Sequence, residues 1–258
     1  MKMKFSIFLL FAIVLTGCSS FMERNKPNTI LSGGDWKKYS SEHYNYYYRP
    51  DSRTVVWIDS IARKQESNLR ELNSFFSVND NQIKIHFFIF PSLWAKIAIT
   101  SEKAYAHCIP EYDAVYYIDG DTISNVLGKH EVTHLVIRKY LGEPVKGFYK
   151  TFMDEGLAMY SGDSLAGFRL YNYYTERLKA NDILSPYEYL SNSGLFVTNW
   201  KKYNQTAGAF SKYLLDNYGF DKYIRLLLEG NDEDDFEKIY RISIKDLSDK
   251  FVSDLKGT

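Results

Sequence analysis

Two periodicities in the chain predict an α+β fold. Runs rich in aromatic and β-branched residues stand at 44–48, 83–90 and 114–118, each closed by a turn signal such as Pro50-Asp51, Pro91 or Asp119-Gly120-Asp121. Segments with apolar residues at helical spacing lie between and after them, at 54–76, at 92–99 and from Ile123 to Leu141. No internal repeat is present. At 258 residues with only two cysteines, stability must come from one sizeable core rather than from disulfides.

At the N-terminus, Lys2 and Lys4 precede an apolar run from Phe5 to Leu15, which is too short to cross a bilayer and has the layout of a secretory signal. Leu15-Thr16-Gly17-Cys18 resembles the lipobox of bacterial lipoproteins. That resemblance implies a signal peptide at 1–17 and lipidation of Cys18, which places the chain in the cell envelope, facing the periplasm or the exterior. Ser19 at the next position implies the outer membrane in a Gram-negative host. Residues 18–42, with Lys26-Pro27-Asn28 and Ser32-Gly33-Gly34, are polar and turn-rich and read as a lipidated tether, so the folded domain is expected over 43–258.

Charge excludes one class of partner. The precursor balances 32 basic against 32 acidic residues, and loss of Lys2 and Lys4 leaves 30 against 32. No basic stripe is available for nucleic acid, and membrane contact is left to the lipid.

The chemistry concentrates in His130-Glu131-Val132-Thr133-His134, which uses two of the five histidines. On a helix, residues four apart share a face, so both imidazoles can converge on one ion while Glu131, turned off that face, can reach a bound water. Ile123, Val126, Leu127, Ile137 and Leu141 fall on the histidine stripe, which is therefore expected to face inward. A catalytic zinc needs a third protein ligand. Ile137 and Tyr140 stand where the metzincin pattern requires Gly and His, which excludes that class. Cys108 has no metal-like spacing to the motif. Glu155 shares a helix face with Phe148, Phe152 and Met159, and a carboxylate on an apolar stripe asks for a cation. His86 and His107 read as structural, and Asp232 to Asp235 as acidic residues that complement a helix start.

The pair His130-Glu131-Val132-Thr133-His134 and Glu155-Gly156-Leu157-Ala158 resembles the gluzincin superfamily, within it the small "peptidase MA-like" domains. The resemblance implies a zincin-like α+β fold: a small N-terminal mixed sheet with helices, an active-site helix, and a mainly helical C-terminal half that includes 203–214 and 236–247. By position it makes His130, His134 and Glu155 the ligands of one Zn2+ per chain and Glu131 the general base for attack by a zinc-bound water on a peptide bond. It also implies that the strand Ala114–Ile118 is the sheet edge that receives an extended peptide.

Two positions depart from the family pattern. Met159 stands where an Asp often orients a ligand histidine, which leaves Asp154 and Asp163 as candidates for that task. Tyr203 is the candidate transition-state hydroxyl, although its spacing to Gly208 differs from that of aminopeptidases. The resulting expectation is a membrane-anchored zinc metallopeptidase acting on peptide or protein, with internal cleavage favoured over aminopeptidase action because no acidic anchor for a free amine precedes the motif. The alternatives are a catalytically silent zinc-binding lipoprotein serving as an envelope interaction module, and an interaction module in which the motif is coincidental.

Overall fold

Aromatic and β-branched residues crowd the three inner strands because those strands are covered on both faces. The computed structural model describes residues 21–78, 82–119, 126–144, 148–162, 167–192 and 194–257. The strands are β1 (Lys37–Ser40), β2 (Tyr44–Tyr48), β3 (Ile85–Phe90), β4 (Ala106–Ile109) and β5 (Ala114–Ile118), arranged β1-β2-β3-β5-β4. β2, β3 and β5 are parallel, while β1 and β4 close the two edges antiparallel. Register pairs Phe87 with Val115 and Phe88 with Tyr116, and the Phe88 and Tyr116 rings stack 5.3 Å apart. β5 is thus an inner strand. The edge expected at Ala114–Ile118 is instead β4, a four-residue strand too short and too exposed to stand out as a run.

The chain forms two compact units, Met1–Glu131 and Val132–Thr258. In the first, α1 (Pro27–Ser32) and the residues around it cover one face of the sheet. Ile30 is fully buried against Phe88, Phe90 and Tyr116, with Phe21, Met22 and Trp36 packed around that cluster. Trp36 meets Phe90 edge-on at 5.4 Å and donates Nε1–H to the Ile30 carbonyl. Asn25, also fully buried, donates to the Thr100 carbonyl and its own carbonyl accepts from the Tyr116 hydroxyl. The tether expected over 18–42 is therefore corrected from residue 21 onward. Its few apolar residues follow no regular period because they fill the uneven surface of a sheet, and pattern reading has no template for that.

The opposite face carries Tyr44, Tyr46, Phe87 and Tyr117, and α2 (Thr54–Phe75) buries Ile58, Ile61, Leu69 and Leu72 in the core of this unit. α3 (Leu93–Thr100) starts at Ser92, whose side chain accepts from the Ala95 N–H. α2 also supplies polar anchors. Glu66 Oε1 accepts from the Ser41 hydroxyl (2.6 Å) and the His43 N–H (2.8 Å), and Oε2 lies 2.7 Å from His43 Nδ1. One carboxylate thereby fixes the start of β2. Burial would raise the Glu66 carboxyl, but these hydrogen bonds, led by the His43 N–H, hold it below its ordinary value of 4.5.

Fully buried Gln65 donates to the carbonyls of Val126 (2.8 Å) and Gly128 (3.1 Å), and Asn68 to that of Leu127 (2.9 Å). Lys129 pairs with Glu71 at 2.6 Å. The motif helix, α4 (His130–Val136), begins only at His130. The sequence predicts this helix from Ile123, but Val126 and Leu127 precede it, and Ile123 lies outside the described residues. Carbonyls that would have served an earlier helical turn are given to α2 instead.

The second unit is helical, with α5 (Phe148–Gly162), α6 (Gly167–Lys179), α7 (Pro186–Leu190), α8 (Gly194–Thr198), α9 (Trp200–Tyr218), α10 (Phe220–Glu229), α11 (Asp234–Tyr240) and α12 (Ile244–Lys256). Lys150 on α5 caps α10 by donating to the carbonyls of Leu226 and Leu227 at 2.8 and 2.6 Å. No described helix is long and apolar enough to cross a membrane. Asp235, in the acidic first turn of α11, accepts from the backbone N–H groups of Asn231 and Asp232 just ahead of the helix.

Replacing Gln65 with Leu should cost about 1–3 kcal/mol, because the buried carbonyl of Val126 and the partly buried one of Gly128 lose their donor; the denaturant midpoint of the variant measures it. For Glu66 the sign follows from its depressed pKa. Its contribution is complete above the unfolded-state value and is lost as pH falls through the folded one. Glu66→Gln should therefore lower stability at neutral pH and flatten part of the acid limb of the stability profile, both read from unfolding curves between acidic and neutral pH.

Candidate metal centre

α4 carries the motif on about two turns fixed by apolar anchors. Val132, Leu135 and Val136 are fully buried, and Thr133 Oγ1 lies 2.6 Å from Ser161 Oγ on α5. The helix widens into a π turn over Ile137–Leu141 and stops at Gly142, whose φ of 114° suits glycine. Four residues apart, His130 and His134 project from one side of α4.

His130, His134 and Glu155 each offer a ligand atom, and these atoms lie within 4.8 Å of one another. His134 Nε2 is 3.7 Å from Glu155 Oε1. Two imidazoles and a carboxylate at this spacing could hold a metal ion. The donor set named from sequence is therefore brought together. Glu131, next to His130 and rotated from it by one residue, is not part of the group. It is partly buried, and its carboxylate helps to raise the buried Tyr117 hydroxyl, although burial is the larger cause.

His134 is held from its other side. Nδ1 is 3.1 Å from Asp154 Oδ1, and Asp154 Oδ2 accepts from Arg138 Nη2 at 3.0 Å. Arg138 also reaches the His134 carbonyl, one turn back on its own helix. Burial pushes the Asp154 carboxyl up, but His134 and Arg138 outweigh it and hold it at about 2. Asp154 and Glu155 are adjacent on α5, so their side chains diverge by about 100°. One faces Nδ1 of His134 and the other Nε2.

Gly156 explains the residue after Glu155. A Cβ there would meet Ser211 Oγ and come within 2.6 Å of the Ala207 carbonyl oxygen on α9. This close approach brings α9 alongside Glu155, where Asn204 Nδ2 donates to Glu155 Oε2 at 3.0 Å. Sequence reasoning missed Asn204 and named its neighbour. Tyr203 is fully buried, edge-on to Phe152 at 5.2 Å and to Tyr189 at 5.8 Å. Burial, then the Glu155 charge, pushes its hydroxyl up.

Asp163 and Cys18 lie outside the described residues. Cys108, on β4, is not among the grouped donors. His107 stacks on Tyr116 at 4.4 Å and is depressed to about 3 by burial, with Lys96 adding to the shift; His86 stacks on Tyr47 at 5.8 Å. Both serve the sheet as flat, neutral rings. A second group, Glu42, His43 and Glu66, has comparable spacing, but the Glu66 oxygens are already engaged at the start of β2.

Neither a protein-family model, a curated protein nor a solved structure matches the chain.

Gly156→Ala should destabilise the protein by about 1–3 kcal/mol, because the added methyl meets the α9 backbone and the two helices must part. Thermal and denaturant unfolding test this, and an unchanged midpoint would contradict the contact.

Proposed function

We propose that the chain is a zinc metallopeptidase with a zincin-like fold, hydrolysing peptide bonds in the cell envelope and tethered there by lipid on Cys18. The observation that carries this reading is the convergence of His130, His134 and Glu155 within 4.8 Å. Structural zinc sites are closed by four protein ligands, whereas catalytic ones use three and keep a position open. Among the described residues, this group supplies three. Zinc held there would polarise a carbonyl and lower the pKa of water to near 7.

The chain's own residues divide the remaining work. Glu131 accepts a proton from the attacking water and passes it to the departing nitrogen, a task for a carboxylate beside the ligands but outside their set. Asp154 keeps His134 in the tautomer with its proton on Nδ1, so that Nε2 is the donor to the ion. An extended peptide can add to β4, which among the described residues pairs with β5 alone. A pocket lined by Tyr105, Ala106, Tyr117 and Ile118 lies at this edge. Addition of a strand imposes no requirement for a free terminus, which favours internal cleavage.

The test combines metal analysis with peptide-library cleavage. Purified protein should carry stoichiometric zinc, and Glu131→Gln should retain it while losing at least about 100-fold in cleavage rate. Absence of zinc, or full activity in Glu131→Gln, would overturn the proposal. Zinc with no cleavage by the wild type would instead support a silent zinc-binding lipoprotein.

A further inference from the structure

We infer that Asn204 is a positioning residue for the metal: it occupies one oxygen of Glu155 so that the carboxylate meets the ion through the other alone. The inference rests on the zinc-centre reading and adds to it a device on α9 that sets how Glu155 binds.

The geometry is direct. Asn204 Nδ2 is 3.0 Å from Glu155 Oε2, while Oε1 is the oxygen that faces His134 Nε2 at 3.7 Å. An ionised carboxylate only accepts hydrogen bonds, so the amide must turn its NH2 toward it. A carboxylate without such a partner can rotate and offer both oxygens to a cation. Here an N–H on Oε2 favours Oε1 as the single ligand atom.

Position on α9 makes the donor rigid. Tyr203, Thr206 and Ala207 around Asn204 are fully buried, and Gly156 removes the side chain that would hold α9 away from α5. The amide is thus placed by backbone packing. Its Oδ1 is buried without a hydrogen-bond partner among the described residues, a cost that an apolar side chain of similar size would avoid. An amide retained at that cost is accounted for by its bond to Glu155.

Neutrality matters as much as reach. Two residues earlier on the same helix, Lys202 pairs with Asp182 at 2.6 Å, and Arg177 contacts the same carboxylate. A cation at position 204 would likewise neutralise Glu155 and compete with the metal. An amide orients the carboxylate and leaves its charge for the ion.

Zinc titration in competition with a chromophoric chelator, run on metal-free wild type, Asn204→Ala and Asn204→Asp, tests this. Loss of such an orienting partner should weaken Zn2+ binding about 10–100-fold in Asn204→Ala. Asn204→Asp, isosteric and so expected to fold, should bind Zn2+ more weakly than wild type as well, since it loses the donor. Co2+ substitution gives the signature of denticity. In Asn204→Ala the visible bands should lose intensity, as two-oxygen coordination by Glu155 raises the coordination number. If the wild type binds no Zn2+, the zinc-centre reading itself fails. If the wild type binds Zn2+ and both variants match it within about twofold, with an unchanged Co2+ spectrum, the role of Asn204 is overturned while the centre stands.

Discussion

A seven-residue helix cannot hold two imidazoles in place with its own hydrogen bonds. Isolated helices below about 12–15 residues are marginal in water, so α4 must be fixed by what surrounds it. At its start, Gln65 and Asn68 take the carbonyls of Val126, Leu127 and Gly128, which fixes where helical winding begins. Along its length, Val132, Leu135 and Val136 are buried, and past its end Arg138 is tied to Asp154. A start one residue earlier or later would turn His130 and His134 by about 100°. The polar groups of α2 therefore act on the placement of the donor group through register, although none of them belongs to it.

The carboxylates of α5 show how burial is turned to use. A buried carboxylate is costly unless paired, and Asp154 has two partners, His134 and Arg138. Glu155 accepts from a neutral amide and faces His134. Adjacent acids thus have different partners because a helix turns their side chains apart. One is suited to orienting a ligand and the other to being one, and Gly156 admits α9, whose Asn204 donates to the second of them.

Much of this was legible in the sequence, and the failures have physical causes. The inner strands Tyr44–Tyr48 and Ala114–Ile118 were readable because both of their faces are buried, which concentrates aromatic residues into runs. The edges β1 and β4, four residues each and half exposed, carry no such run. Residues 21–36 were missed because they cover a sheet without repeating any period. Asp154 was accessible from the chemistry of histidine ligands. Asn204 was not, because its role depends on how closely α9 approaches α5, a tertiary fact signalled only by the small residues Gly156 and Ala207. Tyr203, chosen for its chemistry, is occupied with Phe152 and Tyr189 in the core.

The contrast between the two histidine clusters explains why one is a candidate centre and the other an anchor. At Glu42, His43 and Glu66, both oxygens of the Glu66 carboxylate are engaged, by a hydroxyl, a backbone N–H and a ring nitrogen. These contacts hold a strand start and spend the lone pairs that an ion would need. At His134 and Glu155 the polar contacts fall on the far sides of the donors: His134 Nδ1 faces the Asp154 carboxylate, and Glu155 Oε2 accepts from Asn204 Nδ2. Support from behind preserves the inward-facing atoms, His134 Nε2 and Glu155 Oε1, as a pair. Spacing alone does not separate the clusters; the direction from which each donor is hydrogen-bonded does.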